Sequence, residues 1–188
     1  AGGVGPAQLA WLTERLEACH SRWRDPAGRW VTGPGPDRLV VLASHHSTWT
    51  MTNRVDDEAD PGPRALGPDL IALIDRFPNV VLWLNGHTHA HRVVPHRRDD
   101  GTGWWEVNTA SGIDFGQQGR TVELLDNDDG TVSVVATVID HASPPRVPYR
   151  RDGRWTTTEL ASLSRELAAN DDQWIDPAAL AGADYGYV

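Results

Sequence analysis

Three histidines fall within five positions in NGHTHAH, residues 85–91, directly after the apolar run NVVLWL, and His45 and His46 follow a second apolar run, RLVVLAS. Imidazole is neither a good core filler nor a turn former, so histidines gathered where apolar runs end need another reason. The neutral ring suits zinc, iron and comparable metals, whereas calcium and magnesium prefer oxygen. Side chains at i and i+2 of an extended strand point to opposite sides, so on a strict strand His87 and His89 cannot share an ion. Where a strand end twists into a loop they can flank a site, each facing a different ion of a close pair. Two ions about 3.5–4 Å apart clamp the oxygens of a phosphoester and generate hydroxide near neutral pH.

The elements that must position these side chains can be read from periodicity. Pro6 opens a helix over roughly residues 6–19, with Leu9, Leu12 and Leu16 at spacings of three and four. The Gly/Pro/Asp-rich DPAGRWVTGPGPD reads as a loop, and RLVVLAS as a strand buried on both faces. Residues 47–63 form a long polar loop, and a helix runs from about Pro68 to Phe77 with Leu70, Leu73 and Ile74 on one face. NVVLWLNG is the second strand, so strand, helix and strand follow in order with histidines at both strand ends, where sites are built in open α/β sheets. HRVVPH, GWWEVNTAS, GRTVELLDN and TVSVVATVID follow as an antiparallel meander, the last two joined by an Asp-Gly turn. From Ser143 a proline-rich exit leads to a helix over Thr157–Ala169 and a tail of packing or linker material. The expected fold class is mixed α/β (α+β), with residues 1–142 forming one body and 143–188 an extension.

Composition narrows the partners. Seventeen basic residues, all arginine, against 26 acidic ones give a net charge of −9, and no arginine cluster interleaves with aromatics, which argues against a nucleic-acid surface and excludes a lysine nucleophile. Cys19 is the lone cysteine and cannot form an internal disulfide. No apolar run is long enough for a membrane span, and no targeting signal stands at the front. The chain begins at Ala1 and its one methionine is Met51, so it is read as part of something longer.

NGHTHAH after one strand and VVLASHHS at the end of another resemble the calcineurin-like metallophosphoesterases, which carry a Gly-His-x-His motif after a late strand and an earlier strand ending in histidine. GGVGPAQLAWLTERL is similar to that family's segment in which Gln and Trp-Leu begin a helix just before the histidine strand. WWEVNTASGIDFGQQGRTVELLDNDDGTVSVVATVIDH resembles an actinobacterial subfamily with long inserts and usually a twin-arginine export signal, which implies an exported or cell-surface protein. The resemblance covers about residues 2–142 and implies the C-terminal portion of an αββα sandwich. It implies a phosphoester substrate and two metal ions (Mn, Fe or Zn), with His45 and His87 ligating one ion and His89 the other. The family's Asp-x-His, Gly-Asp-x-x-Asp and Gly-Asn-His motifs are absent from this chain, which implies that the N-terminal half of the domain is missing. Without a bridging carboxylate to neutralise two cations, little phosphoesterase activity is expected of the 188 residues alone.

Other readings stay open. His45, His87 and His89 could serve a mononuclear zinc enzyme, with water in the fourth position, or the chain could be a non-catalytic interaction domain. A cupin needs a glutamate soon after its His-x-His, and a metallo-β-lactamase needs His-x-His-x-Asp-His; HTHAHRVVPHRR provides neither. His46 is a candidate contact for substrate phosphate, and Asn108, Ser111, Asp114 and Gln117 are candidate pocket residues after the next strand, with turn and cap roles equally open. His91 is assigned to the strand leaving the site, and His20, His96 and His141 to polar caps. Asp56, Asp57, Glu58 and Asp60 read as a solvated loop and the nine tryptophans as packing.

Overall fold

The computed structural model describes residues 1–144 and 153–171; most of the proline-rich exit and the tail lie outside the described residues. These residues form a mixed α/β arrangement of three small sheets and three α-helices, divided into two compact units. The first unit comprises Ala1–His87 and Val93–Asn108; the second comprises Thr88–Arg92 and the described residues from Thr109 onward.

In the first unit, α1 (Pro6–Ala18) starts on a proline whose missing N–H is no loss in the first turn, and Leu16 is buried against the core. A hairpin of β1 (Arg22–Arg24) and β2 (Trp30–Thr32) follows, where the sequence suggested only loop. Three-residue strands are too short to show a period of two, and this pair is fastened by local contacts: Arg22 and Arg24 lie 4.0 and 4.4 Å over the Trp30 ring. Asp25 also binds the Arg29 side chain at 2.8 Å across the turn.

β3 (Val40–Ala43), β4 (Val80–Asn85), β5 (Arg92–Arg97) and β6 (Gly103–Asn108) make a sheet ordered β3-β4-β6-β5. β4 runs parallel to both β3 and β6, and the four strands after β4 do not form one meander because β7 (Gly119–Asp126) and β8 (Val132–Ile139), though antiparallel as expected, make a sheet of their own. The tight turn at 98–102 returns the chain beside β5, and β6 thereby enters the sheet in the direction of β4. β3 is an edge strand with alternate residues exposed, Val41 at 43%, and is therefore not buried on both faces; the strand so covered is the internal β4, with Val80, Leu82 and Trp83 at 0–4%.

The connection between β3 and β4 carries a one-turn 3-10 helix at Thr48–Thr50 and then α2 (Gly67–Ile74). Asp69 caps α2 by accepting the Leu66 N–H at 2.9 Å. Leu70, Leu73, Ile74 and Phe77 pack with Leu16, Trp23, Trp83 and Trp104 into the core of this unit. Trp104 is buried while Trp105 is 42% exposed, as strand alternation requires of a consecutive pair.

The second unit contains the antiparallel hairpin β7 (Gly119–Asp126) and β8 (Val132–Ile139), a separate two-stranded sheet, and α3 (Thr157–Ala169). The Asp-Gly turn is where the sequence placed it, and α3 begins with a reciprocal cap between Thr156 and Glu159. Among the described residues, no helix is long and apolar enough to cross a membrane.

His20 lies fully buried at the end of α1, edge-on to Phe77. Its Nε2 accepts the Asn79 N–H at 3.1 Å while Nδ1 faces the Leu16 carbonyl, so the ring must be the neutral tautomer with its proton on Nδ1. Burial holds it below its ordinary value of 6.5, outweighing the bond to Leu16. The unfolded chain therefore takes up this proton first: the contribution of neutral His20 is complete above pH 6.5 and is lost as pH falls below it. We expect the urea midpoint to decline on acidification from about pH 7.5 to about 5, and His20→Gln, which can donate to Leu16 and accept from Asn79, to flatten that decline. An unchanged slope in the variant would assign the acid sensitivity elsewhere.

Candidate metal centre

The parallel pairing of β3 and β4 aligns the ends from which the histidines emerge. Ala43 is opposite Leu84, and pairing continues past both strands: Ser44 N–H donates to the Leu84 carbonyl and Gly86 N–H to the His45 carbonyl, each at 3.0 Å. His45 and His87 are thereby neighbours across the sheet end. The backbone then leaves extended geometry, with φ of 70° at His87 and 56° at His89, a region that costs an ordinary residue about 1–2 kcal/mol. The alternation rule that would set these two side chains on opposite faces accordingly does not apply here.

His45, His46 and His87 form a group whose candidate ligand nitrogens all lie within 4.8 Å of one another. His87 Nδ1 stands 3.2 Å from His45 Nε2. A tetrahedral ion with metal–nitrogen bonds of about 2.0–2.1 Å separates neighbouring nitrogens by about 3.3–3.4 Å, so this pair already has the spacing that one zinc-type ion requires. The His46 ring lies 3.9 Å from that of His87, centroid to centroid. Its Nδ1 is 3.3 Å from Thr50 Oγ1, a hydroxyl that donates in turn to the Ser47 carbonyl, so Nε2 is the nitrogen His46 has to offer. Burial, followed by the neighbouring His87, pushes the His46 imidazole below its ordinary value and favours the neutral form that a metal takes.

The turn carrying His45 and His46 is held from below. Trp83 Nε1 donates to Ser44 Oγ at 2.8 Å, and Ser44 Oγ donates to the His46 carbonyl at 2.6 Å. Gly67, at the start of α2, packs on the following turn so closely that a Cβ there would stand 1.9 Å from the Thr48 carbonyl oxygen.

Beneath both histidine segments lies Glu106, fully buried on β6. Its Oε1 accepts from Thr48 N–H and from Asn85 Nδ2, each at 2.8 Å. Oε2 accepts from Thr48 Oγ1 at 2.7 Å and faces His96 Nε2 at 2.8 Å. Desolvating a carboxylate costs several kcal/mol, which four hydrogen bonds to a charged acceptor, about 1.5–3 kcal/mol each, can offset. Burial alone would raise this carboxyl, yet the bonds from His96, Thr48 and Asn85 hold it below its ordinary value. His96 is itself stacked on Trp104 at 3.8 Å and is a partly buried partner of Glu106, where the sequence suggested a polar cap.

The remaining candidates have other partners. His89 belongs to the second unit, where its Nδ1 bonds Asp114 Oδ2, so the third member of the compact group is His46. Asn108 is fully buried and its amide donates to Asn85 Oδ1 at 2.7 Å and to the Gly86 carbonyl, bracing the strand end before His87. Gln117 donates to Ser164 Oγ at 2.8 Å and so ties its loop to α3; Ser111 Oγ closes a local turn with the Ile113 N–H at 3.1 Å. His91 Nδ1 accepts the Ala110 N–H at 3.4 Å. Asp57 and Asp60 pair with Arg64 on the exposed loop.

Sequence reasoning missed Glu106, Thr48 and Asn85. The available signal was a lone carboxylate in GWWEVN, two residues after Trp104 and therefore on the same buried face. Neither a scan against protein-family models nor a search of the curated proteins returned a match.

Because the Gly67 contact is backbone against backbone, Gly67→Ala is expected to lose about 1–3 kcal/mol in chemical denaturation, the scale of overpacking. The same substitution at exposed Gly112, where a Cβ meets nothing within 4 Å, should change stability far less. Equal effects at the two sites would show that Thr48 has room to move.

Proposed function

We propose that this chain is the histidine-bearing part of a metal-dependent hydrolase acting on phosphoric esters. The observation that carries the metal reading is the convergence of His45, His46 and His87 at the C-terminal ends of two adjacent parallel strands. The phosphoester reading is supported by the resemblance of NGHTHAH and VVLASHHS to the calcineurin-like motifs. The αββα sandwich is the fold that the same resemblance implies for the complete protein.

A bound metal would supply Lewis acidity at a phosphoryl oxygen. The residues of this chain that would hold it are His45 and His87, whose Nε2 and Nδ1 are at ligand spacing, and His46, whose ring is oriented by Thr50. Two ions, Mn, Fe or Zn, are what the resemblance implies for the complete protein. Three imidazoles bring no negative charge, so paired cations here need carboxylates beyond this group, and turnover by the 188 residues alone should be slow. The group of three also favours a second reading, a mononuclear zinc enzyme with a water in the fourth position, its third ligand being His46.

Equilibrium dialysis against Zn²⁺ and Mn²⁺ is expected to show metal bound by the chain, with His87→Ala and His45→Ala each weakening it by more than about 100-fold. The metal-loaded chain should then bind inorganic phosphate, and the metal-free chain should not. Metal binding without phosphate binding, together with hydrolysis of carboxylic esters, would favour the mononuclear reading. Absence of metal binding by the folded chain would refute both.

A further inference from the structure

Both histidine segments are irregular backbone. His45 and His46 lie on a turn leading from an edge strand into a one-turn 3-10 helix, and His87 has its backbone in the left-handed region. The two segments are about forty residues apart in sequence; backbone pairing of their strand ends and the Trp83–Ser44 bond join them directly, and a third strand holds both from beneath.

We propose that Glu106 is the positioning residue of the histidine group: one buried carboxylate on β6 grips the segment after His46 through Thr48 and the strand end before His87 through Asn85. This inference deepens the metal-site reading and rests on it for its functional meaning. Thr48 N–H opens a 3-10 helix and has no partner within it, and Asn85 is the last residue of β4; both donate to the same oxygen, at 2.8 Å. A single atom thereby fixes the distance between a point two residues beyond His46 and a point two residues before His87. Asn108, two positions along β6, extends the hold to Asn85 Oδ1 and the Gly86 carbonyl.

The two carboxylate oxygens face different kinds of partner. Those of Oε1 are obligate donors, a backbone N–H and an amide NH₂. Those of Oε2 are a hydroxyl and an imidazole nitrogen, each able to accept instead. Glutamine fits that asymmetry: its carbonyl oxygen can replace Oε1, while its amide donates to Thr48 Oγ1 and to a neutral His96. Glu106→Gln should therefore preserve the geometry without the charge, whereas Glu106→Ala removes the shared acceptor.

The test reads geometry and metal binding separately, on the full 188-residue chain. In the metal-free protein, NMR should show nuclear Overhauser contacts between the rings of His46 and His87, whose centroids are 3.9 Å apart, and of His45 and His87, at 5.1 Å. We expect both contacts to survive in Glu106→Gln and to vanish in folded Glu106→Ala. Titration with Co²⁺ should show affinity within about threefold of wild type for the former, about 10–100-fold weaker binding for the latter, and an altered visible spectrum at saturation. If Glu106→Ala does not fold, Asn85→Ala, which releases only the β4 end, should lose the same ring contacts. Retention of ring contacts and spectrum in a folded variant lacking the acceptor overturns the proposal and leaves the metal reading standing. Wild-type ring contacts without Co²⁺ binding refute the metal reading, while their loss in the variant still establishes what Glu106 positions.

Discussion

A carboxylate removed from water must find all its partners inside the protein, and the fully buried Glu106 finds them on three elements at once. Thr48 comes from the turn after β3, Asn85 from the end of β4 and His96 from β5, so the cost of burying one charge is met only when all three are in place. Packing reinforces the requirement. His96 lies flat on Trp104, Trp104 is tilted against Trp83, and Trp83 donates to Ser44 next to the first histidine pair. A single polar network is thus continuous with the aromatic core on one side and with the histidine turn on the other. Disturbing it at any point leaves a donor or the carboxylate itself unsatisfied, which is costlier than losing an apolar contact of the same size.

Around that network the sheet supplies direction. Parallel neighbours deliver their C-terminal ends to the same rim, and two runs that each end in histidine bring their side chains together there by topology alone. Backbone then makes the final adjustment. The left-handed conformations at His87 and His89 are unfavourable for residues with a Cβ, and the Gly86 and Asn108 contacts sit directly beside the first of them.

Much of this organisation was legible in the sequence. The helices over Pro6–Ala18 and Thr157–Ala169, the strands that end in histidine and the Asp-Gly hairpin all follow from periodicity, capping and turn chemistry, which act over a few residues. The gathering of histidines at two strand ends was legible too, because residue type and position at a strand end need no knowledge of register, while the pairing of His45 with His87 was only what the family resemblance implied. The hairpin of β1 and β2 was not, since three-residue strands carry no period. Nor was the parallel course of β6, which depends on a turn reversing β5 before it joins the sheet.

What the sequence by itself determined is the inventory: which runs are apolar, where helices begin, and that imidazoles cluster at two strand ends. Only the tertiary structure decided the membership of the compact group, admitting His46 beside His45 and His87 while His89 bonds Asp114, because beyond the strand ends the course of the loop backbone, and not spacing along the chain, sets which side chains meet. It also decided the role of Glu106. A carboxylate directly after a tryptophan pair reads as a misfit along the chain, and it becomes a keystone only when residues 58 positions before it and 21 before it donate to the same oxygen, a long-range coincidence that no local propensity encodes.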